Sequence, residues 1–122
     1  MDLTILNSQI GDISVVALKG RIVLGEGSSA LREAVKRLVA DGKKKIVLNM
    51  ANVTYIDSAG LGTLVAAQVN AKKQDTALLL SDLGNKFYEV LQVTRLLTIF
   101  SVYGSEAEAI SSFGVISQAA SA

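Results

Sequence analysis

Asp57 and Ser58 place a carboxylate beside a hydroxyl where a loop turns into a helix, just ahead of Ala59-Gly60-Leu61-Gly62. Either side chain can cap that helix, because an oxygen there accepts a hydrogen bond from a first-turn N–H with no partner inside the helix. The helix entrance also carries roughly half an elementary positive charge, so a group that becomes anionic there is stabilised. Ser58 is therefore well sited to take up or lose a phosphate. Residue chemistry alone leaves a second reading open, in which Asp57 or Ser58 is only a cap and the glycines only permit close backbone packing.

What the hydroxyl cannot do follows from what the chain lacks. With no His and no Cys, a Ser-His-Asp triad, thiolate catalysis, disulfides and imidazole or thiolate zinc sites are excluded. A Ser-Lys pair survives only if the fold delivers a lysine, since none stands near Ser58 in sequence.

The elements that must position this site follow from periodicity. Ile46-Val47-Leu48-Asn49-Met50 reads as a buried strand, and Leu61, Leu64, Val65 and Val69 recur at helical spacing after Gly60. Upstream, Leu3-Thr4-Ile5-Leu6 and Ile13-Ser14-Val15-Val16-Ala17-Leu18 flank Ile10-Gly11-Asp12 and predict a β-hairpin, with a turn that is not the tight two-residue Asn-Gly type. A first helix is expected with Ser28 or Ser29 as cap, Leu31, Val35, Leu38 and Val39 buried, and an end at Asp41-Gly42. Lys43-Lys44-Lys45 then reads as a solvated connection.

Downstream, Lys72-Lys73 suits the carbonyl end of the central helix. Ala77-Leu78-Leu79-Leu80 reads as a buried strand, and a short helix should follow with Phe87, Val90 and Leu91 inward. Leu97-Thr98-Ile99-Phe100 reads as the last strand, and Ser105 with Glu108 has the spacing of a capping box opening a final helix to about Ser112. The uncharged tail 114–122 reads as a frayed terminus. Strand–helix alternation after a hairpin implies one α/β domain: a single mixed, mostly parallel sheet of about five strands, with about four helices mainly on one face.

Gly25-Glu26-Gly27-Ser28-Ser29-Ala30 fits the spacing of a dinucleotide fingerprint. The following strand, read as ending Leu48-Asn49-Met50, supplies no acid for a ribose, and the preceding strand belongs to a hairpin rather than opening a βαβ repeat. The favoured reading is a flexible loop and a helix cap, with no cofactor.

The 122-residue chain carries 12 Lys and Arg against 11 Asp and Glu, net +1, which lacks the basic excess of a nucleic-acid binder. Half of the residues are hydrophobic and 19% are charged, a balance that suits one domain with a modest core. The start Met1-Asp2-Leu3-Thr4 lacks the pattern of a signal peptide, and the uncharged stretch 58–71 is shorter than the roughly 20 apolar residues that cross a bilayer. The expectation is a soluble, cytoplasmic protein.

Asp57-Ser58-Ala59-Gly60-Leu61-Gly62, after Leu48-Asn49 and a linker ending Val53-Thr54-Tyr55-Ile56, resembles the signature of the STAS domain, and more narrowly the stand-alone bacterial anti-sigma factor antagonists. The resemblance implies the STAS fold over about 3–113 of a single domain spanning 1–122. It implies a binding protein rather than an enzyme, with Ser58 as phosphoacceptor. The implied partners are an anti-sigma factor with serine kinase activity, which binds the unmodified form and is released on phosphorylation, and a metal-dependent serine phosphatase that restores binding. On the same resemblance, Asp57 orients the acceptor's surroundings, and Gly60, Leu61 and Gly62 let the partner approach. Two departures stand out: Arg21 follows Gly20 where many antagonists have an acidic pair, with Glu26 between two glycines in the same partner-facing connection, and Ala59 stands where a second hydroxyl is common. The alternative is a non-switching scaffold, or a module for a nucleotide or lipid.

Overall fold

The computed structural model describes residues 3–114. The tail expectation for 115–122 lies outside the described residues. β1 (Leu3–Ile10) and β2 (Ile13–Ile22) form an antiparallel hairpin in which Ile10 pairs directly with Ile13. The turn is thus a tight two-residue one, contrary to expectation. It is built on Gly11-Asp12 rather than Asn-Gly, with the positive φ of 60° taken by glycine, where no Cβ opposes it.

From β2 the chain advances across the sheet one strand at a time. α1 (Glu26–Ala40) leads to β3 (Lys45–Ile56), α2 (Ser58–Lys73) to β4 (Ala77–Ser81), and α3 (Asn85–Val93) with a 3-10 turn (Leu96–Thr98) to β5 (Ser101–Tyr103). The order is β1-β2-β3-β4-β5, with β2 to β5 parallel. Three crossovers stepping in the same direction, each right-handed, must lie on the same face. Accordingly Leu31 and Val35 of α1, Leu64, Ala67 and Ala71 of α2, and Leu91 of α3 share one core with Val16, Leu18, Leu48 and Leu80 of the sheet. α4 (Glu106–Ser111) covers the other face, where Ala109 and Ile110 meet Ile13, Val15, Val47 and Leu79. The period of two is visible in β4, where Leu78 and Leu80 enter one core and Leu79 the other.

Several expectations are corrected by tertiary context. α1 begins at Glu26, capped by Gly25 at φ 98° with no side-chain hydrogen bond; Ser28 lies inside the helix with its hydroxyl buried and unpaired among the described residues. The stretch read as a linker, Val53 to Ile56, is the continuation of β3. It escapes simple alternation because β3 carries an extra residue twice: opposite Ala17 to Lys19 it runs from Asn49 to Asn52, and opposite Gly20 to Arg21 from Val53 to Tyr55. β2 is both a hairpin strand and the first strand of a parallel β2-α1-β3 unit. The last strand lies later than expected, because Arg95 in the left-handed region (φ 63°) turns Leu96–Thr98 into a 3-10 turn that packs Leu96 and Leu97 on the core. Val90 and Val69 are exposed, and Val39 is only half-buried. Lys45 of the expected solvated connection starts β3 and pairs with Asp12 at 2.9 Å. The final cap matches expectation: Ser105 Oγ accepts from the Glu108 amide at 3.1 Å.

α2 buries a narrow stripe of Gly60, Thr63, Leu64, Ala67 and Ala71. Gly60 is there for packing, since a Cβ would overlap the carbonyl of Ile22 at the end of β2, whereas a Cβ at Gly62 meets open space. Gly60→Ala is expected to lower stability by at least about 1–3 kcal/mol through overpacking, and Gly62→Ala to raise it by about 0.5–1 kcal/mol through helix propensity. Urea midpoints of the two variants, moving in opposite directions, check the assignment.

Candidate functional site

The site lies beyond the carboxyl ends of β2 and β3, where two connections run side by side. Asp57 leaves β3 in an extended conformation (φ −95°, ψ −178°) and is the N-cap of α2. Its Oδ1 accepts from the Gly60 amide at 2.7 Å, the Leu61 amide bonds its carbonyl at 2.9 Å, and its own amide donates to Ile22 O at 3.3 Å. Its Oδ2 reaches across to the β2–α1 connection and accepts from the Leu24 amide at 3.0 Å. The Leu24 and Gly60 amides, in that order, hold the Asp57 carboxyl below its ordinary pKa, because both bonds favour the ionised form.

Since Asp57 caps the helix, Ser58 does not. It is the first residue of the sixteen-residue α2 and is exposed. Ala59 is half-buried. Gly60 is buried against β2, Gly62 is exposed, and Leu61 is half-buried on the wall of a cleft. Arg21 is exposed and lies opposite Tyr55 in the β2–β3 register, while Glu26 is exposed as the first residue of α1.

The sequence reading missed Leu24, 78% exposed, and Tyr55, 57% exposed, as flanking apolar surface. A signal for Leu24 existed: a large aliphatic residue among glycines, Leu24-Gly25-Glu26-Gly27, in a connection where nothing local would bury it. It also missed a cleft of about 710 Å3, bounded by the end of β3, the start of α2 and the start of α3. Lys86 lines this cleft together with Ser58, so the fold does bring a lysine to the neighbourhood, but among the described residues no hydrogen bond joins the two.

The fingerprint-like segment takes a different form from the one expected. Asp57 stands one residue past the true end of β3, where an acid was thought missing, but both of its oxygens are occupied by main-chain amides. Gly27 and Ser28 are buried, and the Ser28 amide is bonded to Val23 O at 3.0 Å. The segment is thus a helix start tied to its neighbour.

Fold and site together define a small mixed-sheet α/β protein that presents, beyond the carboxyl edge of its sheet, a helix entrance capped by Asp57 with an exposed serine beside it. The chain belongs to the STAS domain family, whose pattern matches residues 4–109. It is 29% identical over 79 residues to the anti-sigma-B factor antagonist of Staphylococcus aureus, covering 64% of this chain and 73% of that protein. Its fold is similar to the crystal structure of an anti-sigma factor antagonist from Mycobacterium paratuberculosis (TM-score 0.78, 23% identity, 91% of this chain and 93% of that one). It is also similar to the structure of the Bacillus cell fate determinant SpoIIAA in its phosphorylated form (TM-score 0.71, 17% identity, 90% of this chain and 99% of that one). The expected STAS domain family and the fold class are thereby established. Among the described residues no helix is long and apolar enough to cross a membrane.

A carboxyl with a depressed folded pKa contributes stability above its unfolded pKa, near about 3.9, and loses it as pH falls through the folded value. Acidification through that window is expected to release the Leu24 amide, seen as lost protection at Leu24 and Gly60 when exchange is measured against the intrinsic rate at each pH. Asp57→Asn should show low protection at Leu24 already at neutral pH and lose the pH dependence of that protection.

Proposed function

We propose that this chain is an anti-sigma factor antagonist working as a phosphorylation-controlled docking switch. Unmodified, it binds an anti-sigma factor with serine kinase activity; phosphorylated at Ser58, it releases that partner, and a metal-dependent serine phosphatase resets it. The observation that carries the reading is the division of labour between neighbours: Asp57 spends both oxygens on amides, and the Ser58 hydroxyl stands exposed on the first residue of the helix. The relatives support it. The Staphylococcus aureus protein is an anti-sigma-B factor antagonist, and SpoIIAA, of the same fold, has been solved both phosphorylated and unphosphorylated.

In this reading the chain is substrate and ligand, acting in the cytoplasm. ATP and the catalytic base belong to the kinase. Phosphate adds about −1.5 to −2 charge and three acceptor oxygens to a surface that already holds one carboxylate. The docking surface consists of Ser58, Gly62, Leu61 and Asp57 on one connection and Arg21, Leu24 and Glu26 on the other. A partner fitted to the neutral hydroxyl loses affinity tenfold for every 1.4 kcal/mol or so of mismatch, so one covalent group can switch the complex without moving the backbone.

Incubation with ATP and each serine-kinase-like anti-sigma factor of the host tests this by mass spectrometry and binding. Phosphate is expected on Ser58 and absent in Ser58→Ala, with Ser58→Asp binding the partner at least about tenfold more weakly. A chain that stays unmodified with all of them, or a Ser58→Asp variant that binds as well as wild type, would sink the reading.

A further inference from the structure

β3 outruns its neighbour. β4 pairs with it only from Lys45 to Asn49, and residues 50–56 continue with β2 on one side and, among the described residues, no strand on the other. The open side faces the cleft of about 710 Å3, whose far wall is the first turn of α3 and Val90. Tyr55 and Ile56, adjacent in the strand, both line it. Val53 and Thr54 line it too, so an unbroken run of strand residues borders the cleft along the side that β4 leaves unpaired. Among the described residues no main-chain group of 50–56 is paired to a strand on that side.

An open edge is a template for another strand, and proteins blunt such edges with charge, proline, bulges or a covering helix. Residues 50–56, Met-Ala-Asn-Val-Thr-Tyr-Ile, contain no charge and no proline; the two bulges of β3 lie in this stretch, and α3 flanks it across the cleft rather than closing on it. The walls are apolar, with Met50, Val53, Ile56, Leu61, Phe87 and Val90. Lys86 is the one cation among the lining residues, and the one carboxylate, Asp57, is already engaged by two amides.

We propose that this cleft takes an extended peptide segment of a partner protein, added as a strand to the free edge of 50–56. Its apolar side chains lie against Phe87 and Val90, and an acidic residue faces Lys86. Strand addition supplies affinity through main-chain bonds, and pockets for alternate side chains supply selectivity. A fatty acid would use the apolar walls and Lys86 but leave the strand edge unpaired, so a peptide fits more of the cleft. This occupant does not require phosphate on Ser58.

The test titrates isotope-labelled full-length protein with a pool of acetylated hexapeptides alternating Val or Ile with Ser or Thr and ending in Glu. Slowed amide exchange is expected within 50–56, in a complex that Lys86→Glu weakens about tenfold and Val90→Asp abolishes. N-methylating alternate peptide amides, which removes strand pairing and keeps the side chains, should abolish binding too. The titration uses unmodified protein with neither ATP nor kinase present, so its failure would leave the phosphorylation reading standing, and failure of that reading would leave this one. Val90 is exposed, so its variant should keep the wild-type melting temperature; if it does not, Lys86→Glu and the N-methylated peptides decide. The proposal is overturned if no pool member binds at millimolar concentration, if N-methylated peptides bind equally well, if exchange at 50–56 is unaltered, or if decanoate binds and the peptides do not.

Discussion

One carboxylate holds this site together. Asp57 sits where β3 ends and α2 begins, and its two oxygens have separate tasks: one closes its own helix on the Gly60 amide, the other fastens the neighbouring connection through the Leu24 amide. Such charge-assisted bonds are shorter and stronger than neutral ones, and a carboxylate taking two amides stays ionised to lower pH than usual. The arrangement ties residues 33 positions apart in the chain. It also frees the adjacent hydroxyl, because a helix start capped by Asp57 does not need Ser58.

The sheet explains why the two connections meet. β2 and β3 are parallel neighbours, so both end on the same side, and the helices that follow them start there together. Gly60 allows the closest approach, with the first turn of α2 resting on the Ile22 carbonyl at the end of β2. The same parallel geometry makes the cleft. β3 needs its full length to deliver Asp57 to Leu24, whereas β4 stops at Ser81, opposite Asn49. The mismatch in strand length leaves an edge that α3 flanks without pairing.

Features set by neighbours in sequence were the legible ones. Ser105 and Glu108 announce a cap that forms as read, because all its atoms lie within one helical turn. The adjacency of Asp57 and Ser58 needed no tertiary information either, and strand–helix alternation was enough to reach the mixed sheet, since right-handed crossovers leave few arrangements. What failed depended on distant partners. Gly25 starts α1 by a positive φ rather than by a serine hydroxyl, and the polar look of Ala51-Asn52-Val53-Thr54 hides a strand whose bulges break the alternation. Leu97 to Phe100 is apolar enough for a strand, but Arg95 redirects it into the core as a 3-10 turn. Apart from Leu64 the stripe that α2 buries is made of small residues, so the larger Val69 marked the wrong side. Leu24 belongs to the site only through a bond that sequence spacing cannot announce.

The geometry also bears on why a phosphate would be read here rather than absorbed. An anion at a helix entrance is usually neutralised by the first-turn amides. In this chain the Gly60 amide is already committed to Asp57, and the Leu24 amide that could have turned toward an added group is held by the same carboxylate. A phosphate on Ser58 would keep the general benefit of the helix dipole, enough for the fold to tolerate it, but two nearby donors that could mask its oxygens are taken. Its charge would therefore remain on the surface, beside exposed Leu24 and Gly62, where an approaching partner must desolvate it. A site that capped its helix with the serine would couple modification to folding; one that caps with the aspartate beside it confines the change to the surface a partner sees.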